Sequence, residues 1–97
     1  MLYSKDVKKS ISDIMPEISS KYKVKSLYLF GSYARGDQKE QSDIDILVDF
    51  ENTPDLLSFI ELEEFLSERL KHKVDLVPKR KLKSRIKDRI LREAIEL

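Results

Sequence analysis

The chain has 97 residues, of which 38% are charged, and 19 basic residues nearly balance 18 acidic ones for a net charge of +1. This length suits one small domain over residues 1–97, with no room for a second substrate-binding domain. Cysteine is absent, which excludes disulfides and thiolate metal sites. No apolar run approaches the roughly 20 residues of a membrane span, and no signal peptide is recognisable, so we expect a cytoplasmic protein without a membrane partner.

The first predicted element is an amphipathic helix. Apolar residues recur at spacings of three and four from Val7 to Tyr22, and Ser4 is the predicted N-cap. Pro16 interrupts this pattern, so we expect the helix to kink or to break there. Residues 24–30 form an apolar run that predicts a buried strand.

The turn after this strand suits a phosphate. Gly31 permits a tight turn and a close approach of the backbone to an anion. Ser32 supplies a hydroxyl and an N–H at the start of the next helical turn, where the dipole favours negative charge. Arg35 is placed to brace the same phosphates or an acidic neighbour.

Two aspartates open the second predicted strand, residues 44–50. Asp43 and Asp45 are two residues apart, so on a strand they face the same side with α-carbons roughly 6.6 Å apart. That separation suits two metal ions about 3.5–4 Å apart. Because carboxylates this close repel each other, a divalent cation stabilises them, and oxygen ligands completed by phosphates favour Mg²⁺, with Mn²⁺ as a substitute.

The second half of the chain predicts a helix, a strand and a final helix. Thr53-Pro54 signals the start of the first of these helices. Its apolar face is predicted to include Leu56, Ile60, Leu66 and Leu70. Residues 74–77 read as a third strand ended by Pro78, and a last helix is predicted from Leu82 to the end of the chain. This alternating order predicts an α/β (α+β) domain in which helices flank a small mixed sheet.

Asp75 lies within the third strand and completes a set of three carboxylates. If this strand pairs beside the second, Asp75 can face the same site as Asp43 and Asp45 and can hold a metal or accept a proton. Each signal alone also fits an ordinary turn or surface charge. An EF-hand is excluded because Val48 stands where that loop requires glycine. The glycine-serine turn, the pair of aspartates and the third aspartate occur together and in this order, and this combination favours nucleotide chemistry.

At these residues the chain resembles the minimal nucleotidyltransferases of the DNA polymerase beta superfamily. Gly31-Ser32, ten residues and then Asp43-Ile44-Asp45 match the family's hallmark, and Asp75 matches its third acidic residue. The resemblance implies the nucleotidyltransferase fold and Mg²⁺-dependent transfer of AMP from ATP to a hydroxyl, with release of pyrophosphate. It implies that Gly31 and Ser32 bind the triphosphate, that Asp43 and Asp45 ligate two metal ions, and that Asp75 ligates the catalytic one.

The resemblance also implies a partner. Small members of this family act as antitoxins of HEPN toxins in type VII toxin–antitoxin systems, by adenylylating a tyrosine of the toxin. We expect no direct nucleic-acid binding, since the basic run over residues 79–92 reads as a solvated helix face; a homodimer stays open. Two alternatives also stay open, namely an antitoxin or scaffold that acts by binding alone and a small-molecule nucleotidyltransferase of the aminoglycoside-modifying kind.

Overall fold

The protein is described by a computed structural model that covers residues 2–97. Its helices and strands are, in chain order, α1 (Ser4–Tyr22), β1 (Val24–Phe30), α2 (Ser32–Arg35), β2 (Ile44–Phe50), α3 (Leu56–Leu70), β3 (Val74–Pro78), a 3-10 turn (Lys79–Lys81), α4 (Ser84–Glu93) and β4 (Ile95–Glu96). Mixed strand directions and flanking helices confirm the predicted α/β class. None of the helices in this part of the chain is long and apolar enough to cross a membrane.

The sheet has the strand order β3-β2-β1-β4. β2 pairs antiparallel with β1 and parallel with β3, while β4 pairs antiparallel with β1. Alternate residues of β2 (Ile44, Ile46 and Val48) belong to the main core with α1 and α3. The intervening residues therefore lie on the opposite face of the sheet, which α1 and α3 do not cover. Asp45 on this face is partly exposed, whereas Leu47 is fully buried.

Helix α1 continues through Pro16, so the predicted break does not occur. Ile14 and Ile18, on either side of the proline, are fully buried in the core, and this packing offsets the roughly 3 kcal/mol cost of a proline inside a helix. Pro16 itself is exposed, so its ring meets solvent rather than the core. The N-cap is Tyr3 rather than Ser4, and the Tyr3 N–H donates to Asp6 Oδ2 at 2.9 Å.

Helix α3 begins two residues later than predicted. Asp55, not Thr53, is the N-cap, because its side chain accepts a hydrogen bond from the Ser58 N–H at 2.8 Å. Leu66 and Leu70 are buried as predicted. The prediction was wrong for Leu56 and Ile60, which are 73% and 39% exposed, since the buried stripe consists of Leu62, Leu66 and Leu70 with Phe59 packed beside it.

The last predicted helix is too long at its C-terminus. α4 ends at Glu93, because Ala94 adopts an extended conformation (φ −68°, ψ 147°). Ile95 then pairs with Leu29, and the Leu97 N–H donates to the Leu27 carbonyl at 2.9 Å. These contacts form β4, whose pairing with β1 takes the place of a final helical turn.

Candidate nucleotide and metal site

The site begins where β1 ends, at Gly31. This residue has φ 71° and ψ −150°, a conformation that residues other than glycine adopt only with strain. A Cβ built at Gly31 would collide with Asp45 Oδ2. Glycine therefore allows the turn to lie directly against the carboxylate of β2, which brings the predicted phosphate-binding turn and a predicted metal ligand together.

Asp45 occupies the centre of the site, on the face of the sheet opposite α1 and α3. Its β-ladder partners are Phe30 on β1 and Asp75 on β3, and residues opposite each other in a parallel ladder face the same side. Burial raises the pKa of Asp45, the charges of Asp75 and then Asp43 raise it further, and the charge of Arg35 opposes them. Negative charge is thus concentrated at one place, where a cation would stabilise it.

Asp75 is held in place from the outer edge of the sheet. The Val74 N–H donates to Ser67 Oγ at 3.0 Å, and the Leu76 N–H donates to Glu63 Oε2 at 2.9 Å. Both acceptors belong to α3, so that helix anchors β3 on either side of Asp75. Sequence reasoning did not identify Glu63 and Ser67 as positioning residues, because their spacing on α3 has meaning only once β3 lies alongside.

Asp43 lies just before β2 and is more exposed. Its Oδ2 is 3.8 Å from Lys73 Nζ. Among residues 2–97, no three acidic or histidine side chains converge closely enough to hold a metal ion by themselves. Mg²⁺ needs only one or two protein carboxylates when substrate phosphates and water complete its shell, so an oxygen-only set of Asp43, Asp45 and Asp75 still fits this ion.

A cleft of about 440 Å³ opens between the Gly31 turn and α4. One wall is formed by residues that were predicted from sequence, namely Gly31, Ser32, Arg35 and Asp45. Arg35 Nε lies 3.2 Å from Asp37 Oδ2, and its Nη1 lies 3.8 Å from Glu93 Oε2, so an ion pair links the turn to α4. The volume falls in the range of ordinary small-molecule sites.

The opposite wall is formed by α4, whose role in the site was not predicted. Ile86, Arg89, Ile90 and Glu93 line the cleft. Their spacings of three and four residues place them on one face of the helix, and this periodicity was visible in the sequence. What the sequence did not indicate is that the face lies over the site instead of packing fully into the core.

The fold and this site together indicate a nucleotidyltransferase, and the comparison with known sequences agrees. The chain belongs to the nucleotidyltransferase domain family, whose sequence model matches residues 11–97. Protein adenylyltransferase MntA of Thermococcus cleftensis is 46% identical over 98% of this chain and 96% of its own length. The resemblance drawn from the motifs and the assignment as a nucleotidyltransferase are therefore confirmed.

Two solved structures share the fold. A toxin–antitoxin structure with AMP-PNP is 32% identical, with a TM-score of 0.70 over 98% of this chain and 72% of the solved chain. The second is a complex of a tri-AMPylated HEPN toxin from Shewanella oneidensis with an MNT antitoxin. Its matched chain is 26% identical to this one, with a TM-score of 0.67 over 93% of this chain and 70% of the matched chain. The roles of the individual aspartates and of the Gly31 turn in this chain stay predictions.

Proposed function

We propose that this protein transfers AMP from ATP to a hydroxyl of a partner HEPN toxin and thereby neutralises it, as the antitoxin of a type VII toxin–antitoxin pair. A 46% identical relative is named protein adenylyltransferase. Of the similar solved structures, one contains an AMPylated HEPN toxin and one contains the ATP analogue AMP-PNP. We propose that the transfer involves no direct binding of nucleic acid, and a homodimer is compatible with it.

One observation carries the proposal on the structural side: Asp45 lies opposite Asp75 on parallel strands, directly against the Gly31 turn. In the proposed reaction the acceptor oxygen attacks the α-phosphorus of ATP. The bond from that phosphorus to the bridging oxygen of the β-phosphate breaks, and pyrophosphate leaves with the electron pair. We propose that Asp75, which is exposed at the edge of the site, accepts the proton of the incoming hydroxyl.

We further propose that Asp43 and Asp45 hold two Mg²⁺ ions with the triphosphate, and that Asp75 is a ligand of one of them. When bound, such ions neutralise phosphate charge and make a hydroxyl more nucleophilic. Mn²⁺ is expected to substitute because it accepts the same oxygen donors. Gly31, Ser32 and Arg35 are proposed to bind the triphosphate from the turn.

The reaction type is tested by the position of the label in ATP. We expect ATP labelled at the α-phosphate to label the cognate toxin in the presence of this protein and Mg²⁺, whereas ATP labelled at the γ-phosphate leaves the toxin unlabelled. Labelling from the γ-phosphate alone would identify phosphoryl transfer instead. If the toxin binds this protein but stays unlabelled with both α-labelled and γ-labelled ATP, the result would favour an antitoxin that acts by binding alone.

Metal and nucleotide together are expected to stabilise the protein. A ligand that binds only the folded state at a concentration 100 times its dissociation constant adds about 2.7 kcal/mol of unfolding free energy. For a domain of this size, that corresponds to a rise in melting temperature of about 10–20 °C. The measurement is a thermal melt with Mg²⁺ and AMP-PNP together and with each alone. An unchanged melting temperature of the wild type at saturating concentrations would contradict the proposed site.

A further inference from the structure

The inner face of α4 is the part of the cleft that the proposed reaction leaves without a role. Ile86 is 50% exposed, and α4 contains no fully buried residue, so the helix packs only lightly against the sheet. Ile86 and Ile90 nevertheless line the cleft opposite the Gly31 turn. An apolar helix face left open beside such a turn is the kind of surface that a bound nucleotide covers.

Arg89 is the cation on this face. It lines the cleft, whereas Arg85 and Arg92 of the same helix do not. Arg35, on the opposite wall, is shared between Asp37 and Glu93. Among residues 2–97 the structure gives Arg89 no acidic partner, so its guanidinium, with donors in a planar fork, is available for a phosphate group.

A triphosphate bound in the cleft would need a positively charged side chain, such as Arg89, to compensate nearby negative charge. A triphosphate bound there would lie near the carboxylates of Asp45 and Glu93, which repel it. Arg35, which is proposed to bind the triphosphate, also pairs with Glu93 at 3.8 Å, so its charge is shared; divalent ions are proposed to compensate Asp45. We propose that Arg89 is a further nucleotide-binding residue that contacts the triphosphate of ATP from the α4 wall; this rests on the proposed function only in taking ATP as the substrate.

The test measures nucleotide binding without the toxin. We expect Arg89→Gln to weaken binding of Mg²⁺–AMP-PNP about 10- to 100-fold by titration calorimetry, the usual effect of losing a charge-assisted hydrogen bond. Mg²⁺–tripolyphosphate, which has no base, should lose a similar factor, because the contact is to phosphate. Arg89→Lys keeps the charge but loses the planar fork, so its affinity should lie between those of the wild type and Arg89→Gln.

Arg92→Gln and Arg85→Gln are the matched controls, since they remove the same charge from the same helix outside the cleft. Both should bind AMP-PNP within about twofold of the wild type, as expected for exposed surface charges. Equal affinities of Arg89→Gln and the wild type would overturn the inference and leave the proposed function standing. Equal losses in all three Gln variants would overturn it too, by showing a general charge effect. A wild type that binds no AMP-PNP would instead overturn the proposed function itself.

Discussion

Asp45→Asn is expected to reduce AMP transfer at least about 100-fold, because removal of a single group that stabilises transition-state charge commonly costs this much or more. The same substitution should leave the metal-free protein at least as stable as the wild type. Asp45 lies beside Asp75 on strands about 4.8 Å apart, where two carboxylates repel by about 1–3 kcal/mol at effective dielectric constants between 20 and 80. Asparagine keeps the shape of the side chain and removes this repulsion.

The stability advantage of Asp45→Asn over the wild type should increase as the pH rises. Burial and the neighbouring carboxylates raise the pKa of Asp45 in the folded state, so its ionisation disfavours folding. The wild type in EDTA should therefore match Asp45→Asn in acid, where the carboxyl is protonated in both folded and unfolded states. It should become less stable than the variant as the pH rises above the ordinary range for aspartate. Thermal melts across this range provide the measurement.

Asp49→Asn is the matched control for both the loss of AMP transfer and the change in stability of the metal-free protein. Asp49 follows Asp45 on the same strand and the same face, but its carboxylate lies 3.9 Å from Lys79 Nζ and away from the Gly31 turn. We expect it to retain AMP transfer and to lose no more than about 1 kcal/mol of stability, as for a partly exposed ion pair. If Asp45→Asn melts well below the wild type in EDTA, Asp45 stabilises the fold and the proposed electrostatic cluster is wrong.

Gly31→Ala is expected to lower both activity and stability. The backbone conformation at Gly31 costs an alanine about 1–3 kcal/mol, and the added Cβ also collides with Asp45 Oδ2. Relief of that collision must move either the turn or the carboxylate, which separates the predicted phosphate-binding and metal-binding groups. We expect AMP transfer to fall at least about 100-fold, since a displacement of 1 Å in an active site can cost this much. Thermal melts and the transfer assay measure the two effects.

Gly36→Ala separates backbone strain from the collision. Gly36 also has a positive φ, of 82°, but a Cβ at this position meets no atom within 4 Å. Its alanine variant should therefore lose about 1–2 kcal/mol of stability, the cost of a left-handed conformation, while its transfer activity stays close to that of the wild type. Equal losses of activity in the two alanine variants would show that the Gly31 turn has no particular relation to Asp45.

The strands and the motif residues were predictable because their signals are local. Each apolar run of β1, β2 and β3 is bounded by turn residues or proline, and the structure places these strands within one residue of prediction. Asp43 and Asp45 share a face for the same reason, since side chains alternate along a strand. The sequence predicted that Asp75 faces Asp45 only if β3 pairs beside β2, because that pairing depends on the crossover through α3.

The errors lie where tertiary contacts override a local pattern. Pro16 would break an isolated helix, but the isoleucines on either side of it are buried in the core. Residues 89–97 continue a helical periodicity, yet Ile95 pairs with Leu29 of β1 instead of extending the helix. The position of Arg89 in the cleft was not predicted for a related reason: periodicity defines the face of α4, but only the packed structure shows that this face lines the cleft.

The central claim is that the carboxylates around Asp45 carry out AMP transfer to the toxin. It is tested most directly by the intact mass of a HEPN toxin purified from cells that co-express it with the wild type, Asp45→Asn or Asp49→Asn. We predict that the toxin carries one or more added AMP groups with the wild type and with Asp49→Asn, and none with Asp45→Asn. A toxin that is neutralised by all three proteins and carries no added mass would contradict the claim.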